Sequence, residues 1–186
     1  MKTVIALTGM PGSGKSTAGD ILNKRGIRLV RMGDAVRLEM ESKGLEINNF
    51  TLRNYALEIR QKHGPDYVLN LVKKEIEKAF KTEDTIVLDG VRNMVEITEL
   101  KKESYATKII GIVTDRKLRY ERMIERNNSS DIRSAKDFEW REIQEFKFGV
   151  PEVLASADHY VLNNSSMAYF EEGLLEVFYR SLIIKQ

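Results

Sequence analysis

Eight consecutive residues, Gly9-Met10-Pro11-Gly12-Ser13-Gly14-Lys15-Ser16, follow the pattern G-x-x-x-x-G-K-[ST] directly behind the apolar run Val4-Ile5-Ala6-Leu7. The chemistry served by this spacing is the grip of a nucleoside triphosphate, because such a loop turns its backbone N–H groups inward onto phosphate oxygens. Gly12 and Gly14 are expected to let the backbone approach closely, since a Cβ there would fill space that the phosphates need. Lys15 reaches the terminal phosphates as a point charge, and the Ser16 hydroxyl is placed to ligate Mg²⁺. A helix opening near Lys15 adds its positive dipole end to the same anion site.

Three further segments carry charge at telling positions. In Gly33-Asp34-Ala35-Val36-Arg37, Gly33 is expected to end a strand and Asp34 to cap a helix. Arg37 then lies one turn on, facing back over the sheet edge. An arginine there binds a monophosphate through a bidentate fork; the plainer alternative is a local ion pair with Asp34. In Asp89-Gly90-Val91-Arg92, Asp89 emerges at a carboxyl strand end, where open α/β sheets bind ligands. Its carboxylate complements Ser16 as a Mg²⁺ ligand, and Arg92 is a second clamp for an acceptor phosphate. Glu96 either orients Arg92 from one turn away or forms a surface pair with it. Arg116, Arg119, Arg122 and Arg126 share or border one helical face. The first two read as a solvated stripe balanced by Glu121 and Glu125. Arg133 and Arg141 follow downstream. Phosphoryl transfer needs such positive charge on the equatorial oxygens of the migrating group.

Other candidates read as structural. His63 and His159 have no partner pattern, which argues against a histidine metal site. Trp140 and Phe146 read as packing residues, and Tyr67, Leu71, Phe170, Leu174 and Phe178 recur at helical spacing as core.

The elements that must position these residues alternate along the chain. Strand-like runs occur at Val4–Leu7, Arg28–Val30, Ile86–Leu88, Lys108–Val113 and Tyr160–Leu162. Helical patterns fill the gaps at Lys15–Arg25, Asp34–Lys43, Thr51–His63, Pro65–Phe80, Met94–Glu103, Asp115–Arg126, Ala135–Phe148 and Met167–Ser181. Gly26, Gly44, Gly64 and Gly149 stand where helix ends need a positive φ, and Pro65 suits the first turn of the next helix. This alternation predicts an α/β fold with a parallel sheet covered by helices on both faces. Residues 34–83 and 127–157 are the long insertions, and one core spans residues 1–186.

Composition narrows the class. The chain has 186 residues, 42% of them hydrophobic and 31% charged, which fits one soluble globular domain. A net charge of +2 gives no argument for a nucleic-acid or membrane partner. No run approaches membrane-spanning length, and a cytoplasmic location is the default expectation. With no cysteine, disulfides and thiolate metal sites are excluded.

Taken together, Gly9–Thr17, Met32–Arg37, Leu88–Arg92 and the arginine-rich stretch from Arg116 resemble the nucleoside monophosphate kinase group of P-loop proteins, which includes adenylate kinase and dephospho-coenzyme A kinase. The chain is most similar to an archaeal family of adenylate-kinase-related proteins. The resemblance covers essentially the whole chain. It implies a P-loop NTPase fold, a three-layer α/β/α sandwich with five parallel strands and two helical inserts. One insert (34–83) closes over the acceptor and the other (127–157), the lid, closes over ATP. Gly9 to Thr17, Arg122, Arg126 and Asn163 would then contact ATP, while Gly33, Asp34, Arg37, Gly90 and Arg92 would hold the acceptor. Lys15, Arg126, Arg141 and Asp34 would serve the reaction, with Ser16 and Asp89 on Mg²⁺. The Asp-x-x-Arg spacing at Asp89 is one residue shorter than the adenylate kinase pattern.

The expected activity is transfer of the ATP γ-phosphoryl to a nucleoside monophosphate, AMP-like. An acceptor phosphate is already an anionic nucleophile, so this reaction needs positioning and charge rather than a base. Two alternatives remain open. A dephospho-coenzyme A kinase would phosphorylate a ribose hydroxyl and use Asp34 as general base. An ATP/AMP-sensing regulator would bind nucleotides without useful turnover.

Overall fold

From Val4 to Leu7 every side chain is apolar, the signature of a strand covered on both faces, and this stretch becomes β1 (Thr3–Thr8), fully buried along its length. The computed structural model describes residues 2–125 and 134–183. Its element order continues with α1 (Lys15–Lys24), β2 (Arg28–Arg31), α2 (Met32–Ser42), α3 (Asn49–His63), α4 (Tyr67–Ala79) and β3 (Thr85–Asp89). It closes with α5 (Met94–Lys102), β4 (Ala106–Val113), α6 (Arg116–Glu125), α7 (Ala135–Phe148), α8 (Val150–Ala155), β5 (His159–Leu162) and α9 (Met167–Leu182).

The five strands form one parallel sheet in the order β2-β3-β1-β4-β5. Alternate residues of β1 feed two cores. Val4 and Ala6 pack with α2, α3, α4, α5 and α8 on one face. Ile5 and Leu7 pack with Ala18 and Leu22 of α1 and Phe170, Leu174 and Phe178 of α9 on the other. The α/β/α sandwich and the five-stranded parallel sheet are therefore as the sequence implied. The register sets Leu7 beside Asp89, so the loop leaving β1 and the carboxylate ending β3 are neighbours at the carboxyl edge. Among the described residues, no helix is long and apolar enough to cross a membrane.

Several boundaries differ from the sequence reading. α2 begins at Met32 with Arg31 as its cap residue. Asp34 lies inside the first turn and makes no capping bond, because β2 passes into α2 without a connecting residue. Pro65 precedes α4 rather than opening it. A proline does occupy a first turn at Pro151, in α8, a helix too short for its periodicity to show. α8 seats Val150 and Val153 in the core against β1 and β4, and α4 covers β2. Both long insertions therefore contain a helix that belongs to the sheet's cover.

Candidate active site

The phosphate loop is held from behind by its carbonyl oxygens. Ser13 N–H donates to Met10 O at 3.0 Å and closes the turn. The Ser13 carbonyl accepts from Asn163 Nδ2 at 2.9 Å and from Thr114 Oγ1 at 3.0 Å. The Pro11 carbonyl accepts from Arg119 Nη1 at 3.1 Å. With these oxygens satisfied from behind, the loop N–H groups other than that of Ser13 suit an anion.

The glycines serve this bracing. Gly14 has φ +94°, and a Cβ there would lie 2.3 Å from Asn163 Nδ2. Gly12 has φ +79°, and its Cβ would lie 2.6 Å from the Arg119 carbonyl. Both side chains would collide with the brace, and both backbone conformations favour glycine.

Lys15, the first residue of α1, ion-pairs with the buried Asp89 carboxylate. Ser16 sits beside it, and both line a cavity bounded by Gly9–Gly14, Val91, Arg92, Arg141, Glu145 and Val150. Asp89 and Ser16 supply hard oxygen donors, the class that Mg²⁺ takes. No group of three or more acidic or histidine side chains placed to hold a metal ion occurs among the described residues, so phosphate oxygens would complete such a coordination sphere.

A second cavity adjoins the first. Its wall is Met32, Gly33, Val36, Asn49, Leu52, Arg53, Ala56, Arg60, Val68, Gly90, Arg92 and Arg141: four arginines, one carboxamide, no carboxylate and an apolar remainder. Arg92 and Arg141 line both cavities. The second cavity owes two of its four arginines to α3. There, Arg53, Ala56 and Arg60 follow at i, i+3 and i+7 on the buried face.

Arg60 Nη2 donates to Glu96 Oε1 at 2.9 Å and Nη1 to Ala56 O at 3.1 Å, while Nε has no hydrogen-bond partner among the described residues. Burial pushes this guanidinium below its usual range and Glu96 pulls it back. Phe148 is shared by two cations, with Arg60 5.2 Å and Arg92 4.7 Å from its ring centroid. Glu145 stands 3.6 Å from Arg92 Nε.

Glu96 settles its two alternatives in a third way. It is 0% exposed and accepts from the Arg92 backbone N–H at 2.8 Å rather than from the guanidinium. Its other oxygen holds Arg60, and Asn93 completes a capping box at the start of α5. The residue therefore fixes the Arg92 backbone and the Arg60 head group at once.

The structure places other sequence candidates less centrally. Met32, Val36 and Met40 turn the inner face of α2 to the core. Arg37, a hundred degrees round from Val36, is exposed and lines neither cavity. Asp34 is also exposed and lines neither, so Arg37 and Arg92 do not share a wall. Arg122 donates to Asn163 Oδ1 at 3.4 Å, and Asn163 is buried against the phosphate loop. Arg126 and Arg133 lie outside the described residues.

Arg119 is not part of a solvated stripe. It is 7% exposed, and its Nη2 donates to Glu142 Oε1 on α7 at 2.7 Å. Arg53, Arg60, Glu142 and Glu145 were missed by sequence reasoning. The available signal was charge on an otherwise apolar helical face, as at Leu52-Arg53, Ala56 and Arg60.

Comparison with known proteins gives the family. The model of an AAA domain matches residues 5–145. The UPF0200 protein of Pyrococcus abyssi is 35% identical, over 97% of each chain. That of Methanococcus maripaludis is 33% identical, over 94% of this chain and 95% of the relative. Among solved structures, TT1252 from Thermus thermophilus is similar with a TM-score of 0.71 at 17% identity, covering 98% of this chain and 99% of that one. Dephospho-CoA kinase from Campylobacter jejuni gives 0.59 at 16%, covering 97% of each. Shikimate kinase from Acinetobacter baumannii in complex with shikimate gives 0.58 at 14%, covering 99% and 97%. At these identities, the structural likenesses speak for the P-loop kinase fold alone.

Proposed function

This chain belongs to the UPF0200 family and has a P-loop kinase-like fold suited to ATP-dependent phosphotransfer, and from that premise we propose that it moves the ATP γ-phosphoryl onto a nucleoside monophosphate, AMP-like, in the cytoplasm. One observation carries the reading: a phosphate-loop cavity and an arginine-lined cavity adjoin, and Arg92 and Arg141 line both.

In this reading ATP lies along the loop with its phosphates on the N–H groups of Gly12, Gly14, Lys15 and Ser16, and Arg122 faces the nucleotide. Lys15 exchanges Asp89 for the terminal phosphates. Asp89 and Ser16 hold Mg²⁺, which supplies charge neutralisation across the phosphate oxygens when bound. The acceptor phosphate enters the second cavity, which the 34–83 insert covers, against Arg92 and Arg60 and beside Gly33 and Gly90. Arg141, on the proposed 127–157 lid, faces the migrating group, with Arg126, at the entry to that lid, as a further cation. The acceptor phosphate is anionic, so no base is required, and the chain's contribution is alignment and positive charge in a site closed to water.

Dephospho-coenzyme A kinase is the second reading, favoured by the fold likeness to that enzyme. It would take Asp34 as base, and Asp34 has to approach the cavity for that role. A nucleotide-sensing regulator would bind both ligands without transfer.

The test is a screen of purified protein with γ-labelled ATP and Mg²⁺ against each nucleoside monophosphate and dephospho-coenzyme A. Label in a nucleoside diphosphate supports the proposal. Label in coenzyme A supports the hydroxyl reading, and nucleotide binding without any labelled product supports the regulator.

A further inference from the structure

Arg119 and Glu142 join two parts of the molecule that the sequence keeps apart. Arg119 donates through Nε to Thr114 O at 3.2 Å and through Nη1 to Pro11 O, the carbonyl in the middle of the phosphate loop. Its remaining nitrogen, Nη2, meets Glu142, whose second oxygen accepts from Arg116 Nε at 2.9 Å. The backbone is engaged too, because Gly12 lies directly against the Arg119 carbonyl. Glu142 is 8% exposed. A buried pair of this kind is expensive to separate, since each charge would lose its compensation.

α7 is thus tied at Glu142 to the back of the donor site. One residue earlier, Arg141 lines both cavities; one turn later, Glu145 meets Arg92. Adjacent Cα atoms are ~3.8 Å apart and fixed in a helix, so Arg141 cannot change place independently of Glu142.

We propose that Arg119 and Glu142 are a positioning pair: the state of the phosphate loop passes through them to α7 and sets Arg141 at the junction of the two cavities. The inference rests on the phosphate loop binding ATP. It does not need the acceptor to be known. Phosphates drawn onto the loop shift its backbone, Pro11 O carries the shift to Arg119, and Glu142 carries it to α7. Arg116 shares the carboxylate yet makes no bond to the loop, so it anchors Glu142 without relaying anything.

The chain contains a built-in reporter. Trp140, its single tryptophan, stands two residues before Glu142 on α7 and stacks on Phe50 of α3 with ring centroids 5.4 Å apart. Titration with a non-hydrolysable ATP analogue and Mg²⁺ is followed by Trp140 emission and, in parallel, by calorimetry. The wild-type emission is expected to change as the analogue binds. In Glu142→Gln the emission change is lost while the calorimetric Kd stays within about threefold, the small end of coupling effects. In Arg119→Lys, which also loosens the loop brace, the emission change is lost at saturating analogue. Arg116→Gln retains the emission change.

A structural role alone would lower thermal stability and weaken binding without separating emission from affinity, and that result overturns the proposal. So does a full emission change in both pair variants, or a wild-type protein that binds the analogue with Trp140 silent. Absence of any calorimetric binding in the wild type overturns the ATP-site reading itself, and the positioning role with it. Should Arg119→Lys fail to fold, the near-isosteric Glu142→Gln carries the test.

Discussion

The two cavities are built on opposite plans. The phosphate-loop cavity is built around one contiguous stretch, Gly9 to Ser16, with Val91, Arg92, Arg141, Glu145 and Val150 opposite. In the proposed reading its binding groups are mainly backbone N–H groups of a loop braced from behind by Asn163, Thr114 and Arg119. The second cavity comes from α2, α3, the β3–α5 turn and α7, and its binding groups are side-chain guanidiniums. Backbone donors cost little to keep in place, because the turn that makes them also fixes them. Buried guanidiniums need counter-charges, which Glu96 and Glu145 supply. Damage to the first plan should therefore appear in catalysis, and damage to the second first in stability and then in acceptor affinity.

The largest expected effect tests that division on the side-chain plan. Glu96→Ala strips Arg60 of its buried partner and the Arg92 N–H of its acceptor, and should cost about 3–5 kcal/mol of unfolding free energy. The urea midpoint measures it. A loss below about 1 kcal/mol, the level of an exposed pair, would mean that Glu96 is not holding the cavity wall.

Lys15→Ala probes the backbone plan. It should remove about 2–4 kcal/mol of transition-state stabilisation, as loss of one oxyanion-type donor does. Turnover, without denaturant and at a temperature where the variant is folded, is the readout, since Asp89 also loses its buried partner and the urea midpoint falls with it. Full turnover in this variant would take the phosphate loop out of the mechanism.

Arg92→Ala and Arg37→Ala sharpen the comparison within the second cavity. Arg92 lines it and Arg37 does not. Loss of the Arg92 contact should weaken AMP by about 1.5–3 kcal/mol, the range for a charge-assisted bond, and Arg37→Ala should change it little. Calorimetry with AMP decides; equal losses would restore Arg37 to the clamp.

The smallest effect is expected at Asp34. With a phosphate acceptor, Asp34→Asn should leave kcat within a few-fold, because no base is used. A fall of roughly 10²–10⁴-fold with acceptor affinity preserved would identify a general base and transfer the account to a hydroxyl acceptor.

The same contrast explains what could be read from the sequence. The donor loop was legible because local spacing carries its function, and the five strands were legible because β1 and β3 are continuous apolar runs. Helix α8 was missed because six residues give too little periodicity. Arg53 and Arg60 were missed because a buried arginine looks like any other until its helix face is known. Arg119 was taken for a surface charge because its partners, Pro11 and Glu142, are remote in sequence. Arg37 shows the same limit in reverse: strand order brings its segment close to that of Arg92, while the inward face of α2, not legible from spacing alone, leaves Arg37 exposed and outside both cavity walls.

The central claim is that two adjoining sites hold two ligands at once. Its most direct test is a calorimetric titration of AMP into protein saturated with a non-hydrolysable ATP analogue and Mg²⁺. The account predicts one remaining AMP site per chain, with affinity undiminished by the analogue. Competition between AMP and the analogue for a single site would contradict it.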